Sequence, residues 1–472
     1  MQDILFNTSN RLYNLSLEMK QLGPVQQQVS WKGAKIRNLD ILGQFLERNP
    51  SVKFLRLQWL DYVTSLRLRI IPIKLALDIF HKQKSIGITK AVLGLIHQDS
   101  MVPTFLPVGE YELIPCFEGL RLGERGGYAT VQGEFHEKDG NEVAIDPRSA
   151  LRRIVQRAKK QDISFLVGFE LEVVFMTSSI VDGARVYGKD PVSHGHTWSN
   201  ASALRNPDIM NVIEEILAKL ERSEIDLQQF HPESAPGQYE FVTGPLPPLE
   251  AVDALLATQD IIYSVAEKHS LKATLAPKPY PMACGTGAHV HISISPEDQH
   301  PSFYAGILKH LPAIAAFTYS NAVSYDRVQD SVWSGGRYVT WGTQNRETPL
   351  RKVEGSHWEV KCMDGLANKY LALAAILGAG LQGMLDKHPM THKDCASDPA
   401  LLDVDGRKKL GIEQQLPKDL PDALQRLDKD KVLRNILGED LVNVYLTVKY
   451  AEMEMLDGMQ SEERRNFLIE RY

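Results

Sequence analysis

Two glutamates stand two residues apart in Gly168-Phe-Glu170-Leu-Glu172-Val-Val-Phe175, inside an otherwise apolar run. A strand turns alternate side chains to the same side, so Glu170 and Glu172 share one face. Side-by-side carboxylates in an apolar setting repel each other and lose hydration, and a metal ion, another cation or protons must compensate them. Gly287-Ala-His289-Val-His291-Ile-Ser293 repeats the pattern with imidazoles and a hydroxyl, groups that can ligate a metal or reach a phosphate. Glu233-Ser-Ala-Pro-Gly-Gln-Tyr-Glu240 carries two acids on either side of a Pro-Gly turn. Asn345-Arg346-Glu-Thr-Pro-Leu-Arg351 offers two planar guanidinium forks suited to phosphate oxygens. His357-Trp-Glu359-Val-Lys361 follows it, with Glu359 and Lys361 on one face. Each motif alone also fits a wet strand face, a pair of structural histidines or solvated charge. Together Glu170, Glu172, Glu233, Glu240, His289 and Glu359 supply hard oxygen ligands and one nitrogen, a set suited to two Mg²⁺ or Mn²⁺ ions. The arginines would offset the charge of a transferring phosphoryl group.

These residues need elements to hold them. The runs FLVGFELEVVF, GQYEFVTG, GAHVHISI and HWEVKCM read as strands. They alternate with helical runs DIMNVIEEILAKL, LEAVDALLATQDIIYSVAEKH and ANKYLALAAILGAGLQGML. Upstream, VKFLRLQW and SLRLRIIPI read as short strands, KLALDIFHKQ as a helix, and YATVQGEFHEKDGNEVAI as a hairpin turning at Asp139-Gly140. Asp146-Pro147 reads as an N-cap followed by proline at the first helical position, with Leu151, Ile154, Val155 and Ala158 on one face. The reading is α+β, in three parts: an N-terminal helical extension over 1–51, a small mixed domain over 52–145 and a large domain over 146–472.

Composition narrows the function class. The 472 residues carry 43% hydrophobic and 24% charged side chains and a net charge of −6, with no basic block, which speaks against a nucleic-acid partner. Cys116, Cys284, Cys362 and Cys395 form no CxxC pair, and no apolar leader opens the chain, so a cytoplasmic, reducing setting is expected. Tyr370–Leu385 is too short for a membrane span and reads as a buried helix. Neither a GxxxxGK[ST] loop nor a GxGxxG after a strand is present, which argues against P-loop and Rossmann enzymes.

Taken in order, from about residue 52 to 390, the segments resemble the signature of glutamine synthetases. The resemblance implies a β-grasp domain followed by a catalytic domain whose antiparallel sheet forms a funnel, in a homo-oligomer of stacked rings, a decamer or dodecamer. It implies that Glu170, His289 and Glu359 hold the nucleotide-side metal and that Glu172, Glu233 and Glu240 hold the substrate-side metal. His291 and Ser293 would lie along ATP, and Arg346 and Arg351 on its phosphates. Arg327, in Ser324-Tyr-Asp-Arg327, would take the substrate carboxylate, with Gly285 and Lys361 beside the substrate. The implied chemistry is transfer of the ATP γ-phosphoryl group to a glutamate-type carboxylate, then attack of ammonia or a larger amine on the acyl phosphate.

The sequence departs from that family where acid and amine would bind. Trp333 stands about where ammonia-using members carry a flap glutamate, with Asp330 nearby. The ammonium-binding aspartate loop has only Asp99 as its nearest candidate. Lys361 replaces an arginine and Cys284 an asparagine. The Trp-Ser-Gly pattern is similar to the branch that includes FluG-type and lengsin-like proteins. The leading expectation is a γ-glutamyl amine ligase, and the alternative is a catalytically silent assembly or signalling protein of the same fold.

Overall fold

The computed structural model describes residues 31–181, 184–189, 195–201 and 207–472. Residues 1–30 lie outside them, so of the expected N-terminal extension only the helix α1 (Trp31–Arg48) is described. The first sheet contains β1 (Phe54–Leu60), β2 (Leu66–Pro72), β3 (Ile86–Thr89), β4 (Glu110–Pro115), β5 (Arg121–Leu122) and β6 (Tyr128–His136), in the order β2-β1-β6-β4-β3, with β5 on β6. β1 and β2 form an antiparallel hairpin, the helix α2 (Ile73–His81) follows it, and β6 returns parallel to β1. This arrangement is consistent with the expected β-grasp domain. The Asp139-Gly140 turn forms as expected, with Gly140 at φ +89, although its return arm pairs only through the bridge from His136 to Glu142.

Helix α3 (Pro147–Lys159) starts where the sequence places it. The Asp146 carboxylate accepts the Ser149 N–H at 2.8 Å, and Pro147 takes the first turn, where no N–H is required. Leu151, Ile154 and Ala158 are buried along its inner face.

The second sheet is built on the long β7 (Ser164–Val181). Its other strands are β8 (Ala184–Lys189), β9 (Leu227–Pro232), β10 (Gln238–Thr243), β11 (Lys272–Thr274), β12 (Ala288–Ser295), β13 (Trp341–Thr343), β14 (Leu350–Glu354) and β15 (His357–Val360). The path runs β13-β14-β15-β12-β7-β10-β9, with β8 and β11 also on β7, and every pairing is antiparallel except β13 with β14. Phe165, Val167, Phe169, Leu171 and Val173 line one face of β7 at 0–3% exposure, and helix α5 (Pro248–Lys268), which also contacts α4 (Pro207–Arg222), packs against that strand. Alternation therefore leaves Glu170 and Glu172 on the other face. Helix α6 (His300–Thr318) packs against α7 (Lys369–Leu385), which is buried throughout apart from Gln382 and the terminal Leu385. Among the described residues no helix is long and apolar enough to cross a membrane.

Two sets of bonds fasten the first sheet to the second. In the β1–β2 turn, Thr64 Oγ1 donates to Leu366 O at 2.8 Å, and Asn368 Nδ2 donates to Asp61 O at 2.9 Å. The second set is a buried charge cluster. Arg148 on α3 contacts Asp253 on α5 through Nε at 3.2 Å and Nη2 at 2.8 Å, and its Nη1 reaches Glu134 on β6 at 2.5 Å. Tyr370 on α7 donates to the same Asp253 at 2.5 Å.

Candidate active site

Strand register assembles the site. His289 lies opposite Glu170, Glu172 opposite Glu240, and Glu240 opposite His231. On the other side His291 lies opposite Glu359, and Glu359 opposite Arg351. One polar row thus crosses β14, β15, β12, β7, β10 and β9 on the face turned away from the β7 core.

The row holds two groups whose ligating atoms lie within 4.8 Å of one another: Glu170, His289 and Glu359, and His231, Glu233 and Glu240. In the first, His289 Nδ1 is 3.1 Å from Glu170 Oε2 and 3.2 Å from Glu359 Oε1. His291 Nε2 is 2.9 Å from Glu170 Oε1, and His291 Nδ1 is 2.8 Å from His357 Nε2. Arg351 Nη1 and Lys361 Nζ approach the fully buried Glu359 at 2.9 and 3.3 Å. In the second, His231 reaches Glu233 at 3.5 Å and Glu240 at 3.2 Å. Glu172 stands between the groups, 3.9 Å from His289 Nε2 and accepting from Gln238 Nε2 at 2.7 Å. The second group thus gathers around His231, with Glu172 beside it, where the sequence had pointed to Glu172, Glu233 and Glu240 alone.

The electrostatics separate the two groups. Burial opposes ionisation of Glu170, yet hydrogen bonds from His289 and His291 hold its carboxyl well below the usual range. Burial also opposes Glu359, and Lys361 leads the groups that bring it down to about 2. His289 is raised: burial and Lys361 push it down, but Glu170 and Glu359 outweigh them. Glu233, by contrast, is pushed up to about 7 by burial and by the charges of Glu172 and Glu240. Burial raises Glu240 as well. Crowded carboxylates short of positive charge are what a divalent cation relieves, and their oxygens suit Mg²⁺ or Mn²⁺. The residues present therefore fit such ions.

Arg327 is buried, with Nη2 3.4 Å from His289 Nε2 and Nη1 donating to Tyr319 OH at 3.4 Å. Nε of Arg327 and Nε of Arg351 are buried without a hydrogen-bond partner among the described residues, a cost that calls for an explanation. Gly285 accepts from Gln238 Nε2 at 3.0 Å, and a Cβ there would come within 2.7 Å of the Arg327 Cβ. Ser293 is half-buried two residues past His291 on β12. Arg346 is exposed in the turn before β14 and bonds to neither group. Asp99 pairs with Arg67 in the first sheet and Asp330 with Arg337, so neither lines the cavity that opens over the acids.

Sequence reasoning passed over His231, Gln238 and His357. His231 precedes the Glu233 motif by two residues, the same alternation that linked the other ligands. Gln238 and His357 lie inside quoted motifs but carried no assigned role. His357 falls to about 4, through burial first and then through His291 and Arg351, so at neutral pH it faces His291 uncharged.

The family described as glutamine synthetase, catalytic domain, matches residues 144–467. The chain belongs to the glutamine synthetase family. Protein fluG of Emericella nidulans is 41% identical over 475 residues, covering 100% of this chain and 54% of that protein, so the chain spans about half of that relative's length. Gamma-glutamylpolyamine synthetase GlnA3 of Streptomyces coelicolor is 30% identical over 405 residues, with 80% of this chain and 85% of that protein covered. Among solved structures, a GmaS/ADP complex has a TM-score of 0.76 at 25% identity, covering 91% of this chain and 99% of that one. Glutamine synthetases normally use ATP and divalent metal ions, and the two acidic groups of this chain are consistent with that use.

Proposed function

We propose that this protein is an ATP-dependent ligase that joins the activated carboxylate of glutamate, or a related acid, to an amine. The observation that carries the reading is the pair of acidic groups on one sheet face, with the buried side chains of Arg351, Lys361 and Arg327 around the first of them. Glu170, His289 and Glu359 would hold one Mg²⁺ or Mn²⁺, and Glu233, Glu240 and His231, with Glu172 alongside, a second. When bound, these ions offset the negative charge of phosphate groups.

The chain's own residues do the rest. Arg351, whose Nη1 lies 2.9 Å from Glu359, would bring positive charge to the phosphates. Arg327, which packs closely against Gly285, would take the substrate carboxylate. Gln238 pins Glu172 through one oxygen, and the other lies 3.9 Å from His289 Nε2. The carboxylate attacks the γ-phosphorus, ADP leaves, and an acyl phosphate forms. The amine then attacks the acyl carbon, losing a proton, and phosphate departs. The proton that the amine loses leaves on the departing phosphate, so Glu233 and Glu240 stay committed to the ion.

Retention of buried carboxylates argues against the silent reading, since without a compensating cation they are costly. The stacked-ring homo-oligomer belongs to the same proposal, and light scattering tests it. The decisive experiment is phosphate release from ATP with Mg²⁺ and glutamate, with and without amine. Release that needs both co-substrates supports the ligase; tight ATP binding without release under any amine supports the silent protein.

A further inference from the structure

The cavity over the acids has a volume of about 440 Å³ and changes character along its depth. Its floor is polar, with Glu172, Glu233, His289 and Arg327. Its mouth is apolar: Met282 is 98% exposed, Trp333 66% and Val332 47%, and all three line the same opening. Large apolar side chains left bare around one opening mark a contact surface for an apolar body.

The loop that carries two of them is built to hold that pose. Trp333 sits at φ +60 and Ser331 at φ +61, left-handed backbone that costs a side-chain-bearing residue energy. Bonds from several directions enforce it. The Trp333 N–H donates to Glu347 Oε1 at 2.9 Å, Ser331 Oγ donates to Asp398 at 2.6 Å, and Ser334 Oγ donates to Gln329 O at 2.8 Å. Gly336, at φ +63, lies so close to the Glu347 carbonyl that a Cβ would come within 2.7 Å of that oxygen. The indole is thus held over the mouth by a strained and well-bonded backbone.

The charge at this level decides between kinds of amine. The acids lie at the floor, Asp330 is turned to Arg337, and the ionisable side chain that joins the upper wall is Lys278. The carboxylates among the described lining residues, Glu172 and Glu233, are the ones at the floor, and a second ammonium group away from them would approach the like charge of Lys278.

We propose, resting on the ligase reading, that the acceptor is a primary monoamine with an apolar, ring-sized body, which docks on Met282, Val332 and Trp333. The amine nitrogen points to the acidic floor, where it loses its proton and attacks the acyl carbon as phosphate leaves. The body covers the mouth and keeps water from the acyl phosphate, so the substrate itself seals the site.

The test uses the purified full chain with Mg²⁺, ATP and glutamate, and measures phosphate release with ammonium, methylamine, 2-phenylethylamine or spermidine. The expected result is a KM for 2-phenylethylamine about tenfold or more below that for methylamine. Trp333→Ala and Met282→Ala raise that KM about tenfold with the KM for ATP retained, and Trp333→Phe restores most of the loss. A lower KM for ammonium or spermidine than for 2-phenylethylamine overturns this proposal but leaves the ligase standing. So does a Trp333→Ala protein whose sedimentation changes while its amine KM does not, because the rim would then be a contact between copies. No release with any amine, with ATP still bound, overturns the ligase reading and this proposal together.

Discussion

His289 Nδ1 lies 3.2 Å from Glu359 Oε1, although the two residues come from different strands, β12 and β15, and are not directly paired in register. Glu359 has no exposure and is also approached by Arg351 and Lys361. Glu359→Gln keeps the shape and removes the charge. Mn²⁺ affinity, read by calorimetry, is expected to weaken about tenfold or more. Unchanged affinity would remove Glu359 from the metal set.

Gly237 links the two acids of the second group. It sits at φ +71, and a Cβ would meet the Phe175 carbonyl oxygen at 2.2 Å, a backbone atom that cannot turn aside. Gly237→Ala should cost more than about 1 kcal/mol of stability. It should also lower the Mn²⁺ stoichiometry, because Glu233 and Glu240 would no longer converge. Native-like stoichiometry and melting temperature would contradict this.

The Arg148 cluster joins the two sheets through buried charge. Removing only the cation leaves Asp253 without its buried counter-charge, while Glu134 keeps Arg152, a loss of about 3–5 kcal/mol. Arg148→Met is expected to lower the melting temperature sharply, and Arg148→Met with Asp253→Asn to recover part of it. Equal melting of the single variant and the parent would show that the cluster does not hold the sheets together.

Lys369 supplies a pH test. It is buried at the start of α7, its Nζ donates to the carbonyls of Asp364, Gly365 and Ala367, and burial brings its ammonium down to about 7. Its folded value is therefore below the unfolded one, so between these values the unfolded chain binds more protons. Stability then rises with pH above about 7, with a slope approaching about 1.4 kcal/mol per unit. The melting temperature should climb from pH 7 to 9, and Lys369→Met should flatten that climb. A parallel climb in both proteins would assign it to other groups.

The strands and helices around the site were legible because their signals are local. Period-two alternation placed Glu170 with Glu172 and His289 with His291, and the Asp146-Pro147 cap fixed the start of α3. The motifs, taken in order, also pointed to the family and to most of the acids. Partners across strands were not legible in the same way. The register that sets Glu359 beside His291, and His231 beside Glu240, is decided by pairing between segments far apart in the chain. That pairing is enforced by the buried face of β7, since a one-residue slip would turn Phe169 and Leu171 out and the glutamates in. The sequence showed that Trp333 was unusual. Only the folded loop, with its left-handed backbone tied to Glu347 and Asp398, set that indole over the cavity, because such a conformation persists only where tertiary bonds outweigh its local cost.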